Sequence, residues 1–371
     1  MNPPRQFHAV LLAVAWGLGA HADELESTQN VAGPDLAGIC CVAISSDGRF
    51  AYTTAGGARA LAIFMRDADT GKLTLARAVK GPQIDGPIRV RISRDDKFLV
   101  LADSHTNVAT VFQRDPESGD LSKVADASWG ENGALPPTGM TDASLSSDDR
   151  FLYTASSAGL GVYKFSENKL SFVQLEKGGD SLKGLRPFVI SPDGHWLYAV
   201  ADGSGALNVF SRDETTGKLD LVQTLSNGRD GISSLRGAFH VAETDDGKNV
   251  YVSSGRNHGD KAVSAFLVQS DGHLKFLQKF VNGAADFSQF EGGNELKVSP
   301  DGKWVCAVAS TSDRLFRFGR DPETGKLTFL NSQQAGALHP EGAAGVCFSP
   351  DSKFVYVADK SENVVEVFKL P

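Results

Sequence analysis

Charged side chains that could bind and activate a small molecule recur at one place in this sequence, shortly before a repeated Ser-x-Asp turn signature. The residues are Arg89, Asp142, Arg186, Arg236 and Glu295. A hydrolytic reaction needs a base that activates water and cationic groups that stabilise the oxyanion. Arginines can also bind a carboxylate or phosphate through paired, charge-assisted hydrogen bonds. The pattern therefore predicts a small-anion site with Arg89, Arg186 and Arg236 as substrate-binding residues.

Acids and one histidine are the candidate catalytic residues. Asp202 or Glu295 would act as the base if burial raised the pKa of its carboxyl group. His240 lies within a strand-like segment, where a histidine is more often structural than catalytic. Three more histidines lie on connecting segments: His105, His258 and His339. The sequence lacks GxSxG, HExxH, CxxCH, a Gly-rich phosphate loop and a DxDxDG calcium loop, so we expect no cofactor and no metal.

A repeated unit must position these residues. The signature Ser-x-Asp-Gly/Asp-Lys/Arg-aromatic recurs seven times, beginning at Ser45, Ser93, Ser146, Ser191, Thr244, Ser299 and Ser349. A second turn signature occurs in four units, at Arg66–Leu73, Arg114–Leu121, Arg212–Leu219 and Arg320–Leu327. Each unit is typical of four short antiparallel strands, which form the blade of a propeller. The sequence predicts an all-β, seven-bladed propeller as a single domain over residues 23–371.

The two ends of the chain predict how the ring closes. The last unit stops at Pro371 after its third strand, and residues about 24–32 supply a spare strand that resembles Leu219–Leu225. We expect this N-terminal strand to complete the last blade. Both turn signatures fall on one face of the ring, and longer irregular loops fall on the other. Function is expected on the face with the long loops.

The same charges could instead serve the architecture. Pairs such as Arg89 with Asp142 could join neighbouring blades. Asp103, Asp202 and Asp359 each follow the second strand of a unit. This recurrence favours a turn or capping role for at least two of them.

Segments of the type SPDGKxxYVA, followed by an alternating strand ending in Phe and by RDxxTGKL, resemble the seven-bladed lactonase family. That family includes propeller-type 6-phosphogluconolactonases and the fungal carboxymuconate lactonising enzyme. The resemblance covers residues 24–371 and implies a propeller fold and lactone hydrolysis. Family enzymes carry a Gly-Pro-Arg-His run before a blade's first strand and a Glu after its second strand. By this resemblance Arg186 holds the arginine position, Pro187 the histidine position and Asp202 the glutamate position.

Three classes of function follow. Because Pro187 cannot act as a base, the departure favours a non-catalytic binding module whose loop-rich face holds a protein or glycan. An exposed aromatic patch of Trp129, Phe287 and Phe290 would mark such a module. The alternative is a 6-phosphogluconolactonase-like lactonase acting on a small anionic sugar lactone at the channel mouth. The third is a cofactor-associated or structural envelope protein.

Charge and the N-terminal segment bear on partners and location. The chain has 371 residues and a formal charge of −8, without the basic cluster that a nucleic-acid partner would require. Arg5, the apolar segment Ala9–Gly19 and the small residues Ala20 and Ala22 form a signal-peptide pattern. Residues 1–22 therefore predict export to the periplasm or secretion, without membrane insertion. We expect the exported protein to be a monomer.

The four cysteines are read in that setting. An exported chain can form disulfides, so Cys40 and Cys41 are either two packed thiols or a strained vicinal disulfide. Cys306 and Cys347 fall where other units carry core residues, and both are expected to be small buried side chains.

Overall fold

The computed structural model describes residues 25–128, 139–255, 259–284, 286–336 and 342–371. These residues form 28 strands in seven four-stranded antiparallel sheets, together with two short 3-10 helices, Pro34–Leu36 and Gly179–Leu182. The predicted all-β, seven-bladed propeller is confirmed. In the described ranges, no helix has the length and hydrophobicity needed to cross a membrane.

The strands follow one another from the channel to the rim in each blade. Blade 1 has β2 (Ile39–Ile44), β3 (Phe50–Ala55), β4 (Ala60–Arg66) and β5 (Leu73–Val79); blade 2 has β6 (Pro87–Ile92), β7 (Phe98–Asp103), β8 (Val108–Arg114) and β9 (Leu121–Ser128); blade 3 has β10 (Asp142–Leu145), β11 (Phe151–Ser156), β12 (Gly159–Ser166) and β13 (Lys169–Glu176); blade 4 has β14 (Leu185–Ile190), β15 (Trp196–Ala201), β16 (Ala206–Arg212) and β17 (Leu219–Ser226). Blade 5 has β18 (Ala238–Glu243), β19 (Asn249–Ser254), β20 (Ala262–Val268) and β21 (Leu274–Val281); blade 6 has β22 (Gly293–Val298), β23 (Trp304–Ala309), β24 (Arg314–Arg320) and β25 (Leu327–Gln334); blade 7 has β26 (Ala343–Phe348), β27 (Phe354–Asp359), β28 (Val364–Lys369) and β1 (Glu26–Ala32).

The ring closes as the sequence predicts. Strand β1 pairs antiparallel with β28, from Glu26 opposite Lys369 to Ala32 opposite Val364, and so supplies the outer strand of blade 7. The backbone N–H of Leu25, just before β1, also donates to the Gln333 side chain of blade 6 at 2.9 Å.

The Ser-x-Asp signature is a hydrogen-bonded turn between the first and second strands. In blade 1 the Ser45 hydroxyl donates to Asp47 (2.6 Å) and accepts the Phe50 backbone N–H (3.1 Å). Asp47 in turn accepts the Arg49 backbone N–H at 3.0 Å. The serine and aspartate are therefore fixed by the backbone geometry, because together they satisfy N–H groups that the turn leaves without a strand partner.

Neighbouring blades are joined on the face that carries both turn signatures, here called the turn face. Tyr153 of blade 3 donates to the Gly217 carbonyl of blade 4 (2.8 Å) and accepts a hydrogen bond from Arg212 (2.6 Å). The same contact occurs at Tyr52–Arg114–Gly119 and at Tyr356–Arg66–Gly71. We call this arrangement the Tyr–Arg contact; the opposite face is called the loop face.

One sequence prediction about the surface is wrong. Phe287 and Phe290 are 2% and 0% exposed and pack with Phe316 in an aromatic core between blades 5 and 6. They therefore cannot form an exposed binding patch. Trp129, the third member of that prediction, lies outside the described residues.

Candidate active site

A β-bulge recurs in the innermost strand of six blades, next to the central channel. In β2, Ile39 pairs with Ala55 and Cys41 with Thr54, so that Cys40 is an extra residue. Equivalent shifts occur in β6, β14, β18, β22 and β26. A bulge changes the direction of the side chains around it. In β2 the extra residue Cys40 and the following residue Cys41 stand at the bulge. We assign these two positions of each blade to the channel wall.

These residues form two rings, counted backwards from the Ser or Thr of the turn signature. The first ring, five residues before it, consists of Cys40, Ile88, Thr141, Arg186, Phe239, Asn294 and Ala344. The second ring, four residues before it, consists of Cys41, Arg89, Asp142, Pro187, His240, Glu295 and Gly345. All seven first-ring residues line one cavity of about 630 Å³.

This cavity, called the upper cavity, has basic but no acidic residues among its described lining. Residues of the loop face, including Ser104, His105 and Lys360, line it together with the first ring. Arg89 and Arg186 add two guanidinium groups, whose carboxylate partners lie behind the wall. In a chain with a net charge of −8, this basic lining favours an anionic ligand.

Arg186 is held in place at the wall of the upper cavity. Its Nε and Nη2 atoms donate to the same Asp202 oxygen at 2.8 and 2.5 Å. Its guanidinium also stacks on Phe239, with 5.0 Å between the Arg186 Cζ atom and the ring centroid. These contacts fit the predicted binding role of Arg186. They favour an orienting role for Asp202 over the predicted role of a base.

Four charged or titratable residues meet in the second ring and just below it. Arg89 of blade 2 reaches across the channel and places Nη1 3.0 Å from Glu295 Oε2 of blade 6. The other Glu295 oxygen lies 3.3 Å from His240 Nε2 of blade 5 and 3.3 Å from Lys297 Nζ. We call Arg89, His240, Glu295 and Lys297 the channel cluster. Three of the sequence-predicted site residues, Arg89, His240 and Glu295, are therefore brought together.

The channel cluster separates two cavities. Below it lies a second cavity of about 240 Å³, lined by residues that include Cys41, Glu295 and Lys297. Arg89 lines both cavities. Arg89 thus lies at the floor of the upper cavity, and His240 and Glu295 are buried behind it.

Burial and mutual charge set the protonation of the channel cluster. Burial opposes the ionisation of Glu295, but Arg89 and Lys297 outweigh it and hold the pKa of that carboxyl group well below its ordinary value. Burial lowers the pKa of His240 to about 4, against the opposing effect of Glu295. At neutral pH, Glu295 is therefore a carboxylate and His240 a neutral imidazole that can accept a proton.

Several buried polar atoms of the channel cluster have unsatisfied hydrogen-bonding capacity. Within the described residues, both ring nitrogens of His240, both carboxylate oxygens of Glu295, and Nε and Nη1 of Arg89 are buried without an aligned hydrogen-bond partner. Arg89 Nη1 and His240 Nε2 lie at ion-pair distances from Glu295 but do not make well-aligned hydrogen bonds to it. Because buried polar atoms are nearly always hydrogen-bonded, this arrangement suits a site whose remaining partners are ligand atoms.

The structure does not bring every predicted residue to the channel. The Arg236 side chain is 67% exposed, pairs with Asp260 at 3.2 Å, and is not among the described residues lining the upper cavity. The predicted structural pair of Arg89 with Asp142 is wrong, because a different arginine binds Asp142. Arg91, two residues further along β6, binds both oxygens of Asp142, at 3.0 and 2.5 Å. Arg89 instead pairs with Glu295 in the channel.

Histidines and cysteines outside the channel cluster complete the inventory. His105 lines the upper cavity at the loop face, 3.6 Å from Asp85, whereas His258 and His339 lie outside the described residues. All four cysteines are free thiols in the structure, Cys40 and Cys41 included. Cys306 is buried in the core as predicted, while Cys347 is only half-buried and lines the lower cavity.

Sequence reasoning missed Phe239, Asn294, Lys297 and Lys360 as wall or cluster residues. The first three stand five, five and two residues before a turn signature. Counting back from each signature would have identified them as ring or near-ring positions. Lys360 lies in a loop between second and third strands, where no register could be counted.

Comparison with known proteins bears on the choice between the functions. The family model "Lactonase, 7-bladed beta-propeller" matches residues 23–135, 131–233 and 220–338. A "Probable 6-phosphogluconolactonase" of Arthroderma benhamiae is 30% identical over 139 residues, which are 36% of this chain and 33% of that protein. The 6-phosphogluconolactonase of Bacillus subtilis is 28% identical over 180 residues, which are 47% of this chain and 48% of that protein. The chain thus spans about a third to a half of these curated relatives.

A solved structure shares the architecture. The periplasmic gluconolactonase of Pseudomonas aeruginosa is 22% identical and superposes with a TM-score of 0.66 over 80% of this chain and 85% of that chain. At this identity the likeness concerns the fold. The matches give no support to the binding-module interpretation and favour the lactonase alternative. Seven blades of four strands, and a family model matched from residue 23 to residue 338, show that the chain belongs to the seven-bladed β-propeller lactonase family.

Proposed function

We propose that this chain is a lactonase that hydrolyses a small anionic lactone in the upper cavity. The observation that carries the proposal is the channel cluster, in which Arg89 lies at the floor of the upper cavity and contacts Glu295 of a buried His240–Glu295 pair. A base, a carboxylate that supports it and an oxyanion-stabilising cation are the groups that ester hydrolysis requires. The family match and the named activities of the relatives point in the same direction.

His240 is the proposed base. With Nε2 donating its proton toward Glu295, the other ring nitrogen, Nδ1, is free to take a proton from the attacking water. The resulting imidazolium is stabilised by the Glu295 carboxylate. Glu295 itself is a weaker candidate, because Arg89 and Lys297 stabilise its ionised form and lower its pKa.

Arg89 is the proposed oxyanion-stabilising group. The water oxygen bonds to the lactone carbonyl carbon, and the negative charge that develops on the carbonyl oxygen is stabilised by the Arg89 guanidinium. The ring C–O bond then breaks, and the leaving oxygen takes the proton from His240. The product is the open-chain hydroxy acid, and His240 returns to its neutral form.

Arg186 and Lys360 are the proposed binding residues for the substrate's anionic substituent. Asp202 and Phe239 orient Arg186, so its guanidinium can offer a prearranged pair of N–H groups. We further propose that residues 1–22 export the chain and that it acts as a monomer on an extracytoplasmic metabolite.

The test is hydrolysis of phosphogluconolactone, gluconolactone and muconolactone by the purified chain. We expect His240→Gln to lower kcat by about 10²- to 10³-fold, and Arg186→Ala to raise KM for the charged lactones more than for gluconolactone. Arg229→Ala removes an exposed arginine on a connecting loop and is the matched control, with unchanged kinetics. A folded chain that hydrolyses none of the three lactones would refute the proposal.

A further inference from the structure

Carboxylates converge between blades 6 and 7, outside the candidate active site. One carboxylate oxygen each from Asp359, Glu362 and Glu366 lies within 4.8 Å of the others. Asp359 and Glu366 are 0% and 3% exposed, and Asp313 of blade 6, which is 1% exposed, faces them. A cation that binds oxygen ligands at about 2.4 Å holds them no more than about 4.8 Å apart. One ion could therefore contact all three carboxylates.

A comparison within the molecule shows that Asp359 departs from its repeat. Asp103 is the equivalent residue of blade 2, and its two oxygens accept four backbone N–H groups, from residues 85, 86, 105 and 106, at 2.8 to 3.0 Å. Asp359 keeps only half of this arrangement. Its Oδ1 accepts the N–H groups of Ser361 and Glu362, whereas its Oδ2 is buried and has no hydrogen-bond partner among the described residues.

The orphaned oxygen packs against a glycine. A Cβ atom on Gly336 would lie 2.1 Å from Asp359 Oδ2 and 2.8 Å from Asp313 Oδ2. Two carboxylate oxygens from different blades therefore lie beside Gly336, where a larger residue would displace them. The guanidinium of Arg314, next to Asp313 in sequence, donates to Ser332.

The four carboxyl groups lie close enough to act on one another. Asp359, Asp313 and Glu362 each act electrostatically on Glu366, and like charges this close in the protein interior repel strongly. A bound cation would offset this repulsion.

We propose that Asp313, Asp359, Glu362 and Glu366 form a calcium site that joins blades 6 and 7. The ligands are all carboxylate oxygens, which is the donor set that Ca²⁺ prefers, and they come from loops and strands of irregular mutual geometry, which Ca²⁺ tolerates better than Mg²⁺. Asp359 and Glu366 belong to β27 and β28, the strands that β1 completes. Calcium would therefore stabilise the blade at which the ring closes, independently of lactone hydrolysis.

The test is calorimetric titration of the chelator-treated chain with calcium chloride. We expect one site per chain with a dissociation constant at or below about 0.1 mM. At about 1 mM calcium, Tm should rise by about 3 °C or more, because the ion binds only the native state. Magnesium should produce a smaller rise at the same concentration.

Three variants separate the site from general destabilisation. Glu362→Gln alters a half-exposed ligand and should weaken binding at least about tenfold, while Asp359→Asn should abolish the calcium-dependent rise in Tm. Asp103→Asn is the matched control: it lowers Tm with and without calcium but keeps the full rise. No binding by the wild type up to about 5 mM calcium, or a full rise in Asp359→Asn, would overturn the proposal.

Discussion

The turn face and the channel use the same repeated unit in opposite ways. At three blade junctions of the turn face, the same Tyr, Arg and Gly positions make the same hydrogen bonds. In the second ring of the channel, the seven equivalent positions hold seven different residue types. Because the blade junctions share one geometry, the same residues can stabilise each of them. A ligand site occurs only once in the ring, so the residues that form it differ from blade to blade. Repetition therefore marks architecture, and departure from it marks the site.

The two regions also differ in how well their polar groups are satisfied. Tyr153 both donates and accepts a well-aligned hydrogen bond, whereas Arg89, His240 and Glu295 leave buried nitrogens and oxygens without aligned partners. Desolvating charges costs free energy that imperfect pairing recovers only in part. We therefore expect the Tyr–Arg contacts to stabilise the ring, and the channel cluster to serve function at some cost in stability.

The largest expected effect comes from removing one charge of the channel cluster. Arg89→Met leaves the Glu295 carboxylate buried, with only Lys297 and neutral His240 close to it. We expect the free energy of unfolding to fall by about 3–5 kcal/mol, as is typical when one partner of a buried ion pair is lost. Urea unfolding, followed by fluorescence, measures the loss.

A double variant shows whether that loss reflects a structural role. Arg89→Met combined with Glu295→Leu removes both buried charges, and Lys297 keeps access to solvent in the lower cavity. We expect stability to return to or above that of the wild type, while lactone hydrolysis stays absent. If the double variant is as unstable as Arg89→Met, the channel cluster is architectural and the contrast with the turn face fails.

The fold could be predicted in detail because its information is local and repeated. Each Ser-x-Asp turn is closed by residues within five positions of each other, so seven copies identify seven blades. The closing strand was predictable too, since the ends of the chain together supply one missing strand.

The site could be predicted only in part, because its contacts cross the channel. Arg89 and Glu295 are 206 positions apart by their numbers, and their pairing depends on which blades face each other. The bulge is equally hidden, since it inserts a residue without any Gly or Pro to signal it in β2. Attention to the Pro187 position drew the sequence prediction toward a binding module, although His240 holds the same ring position one blade further on.

As the pH falls, the channel cluster should lose its contribution to the free energy of unfolding before the Tyr–Arg contacts of the turn face do. His240 has a pKa of about 4 in the folded chain, against about 6.5 when unfolded. Between these values the unfolded chain binds a proton that the native chain does not, so the free energy of unfolding falls as pH falls, by up to about 3 kcal/mol. Arg89 and Lys297 lower the pKa of Glu295, so this carboxylate stabilises the fold at any pH above the ordinary pKa of a glutamate. Its contribution to the free energy of unfolding is lost as the pH falls further.

The measurement is the pH dependence of urea unfolding for the wild type and for His240→Gln. The difference between the two should grow between pH 6.5 and 4 and level off below that range. Tyr153→Phe is the control, because it leaves every group of the channel cluster unchanged. A slope in His240→Gln equal to that of the wild type would mean that His240 does not remain neutral in the fold.

The smallest expected effect compares two hydroxyls on the turn face. The Tyr153 hydroxyl bonds to both Arg212 Nε and the Gly217 carbonyl, at 2.6 and 2.8 Å. The Tyr198 hydroxyl donates only to the Gly272 carbonyl, at 3.3 Å, and Val268 stands where other blades carry the arginine. We expect Tyr153→Phe to cost about 1.5–3 kcal/mol, because a charged donor loses its acceptor, and Tyr198→Phe to cost about 0.5–1 kcal/mol.

Thermal and urea unfolding of both variants, with lactone hydrolysis measured alongside, sharpen the comparison. Both variants keep the aromatic ring in its buried position, so the difference between them isolates the arginine contact. Unchanged kcat and KM in both would separate the turn face from the reaction. Equal losses of stability would show that packing of the ring, rather than the Tyr–Arg contact, holds these junctions together, since the ring is all that the two positions share.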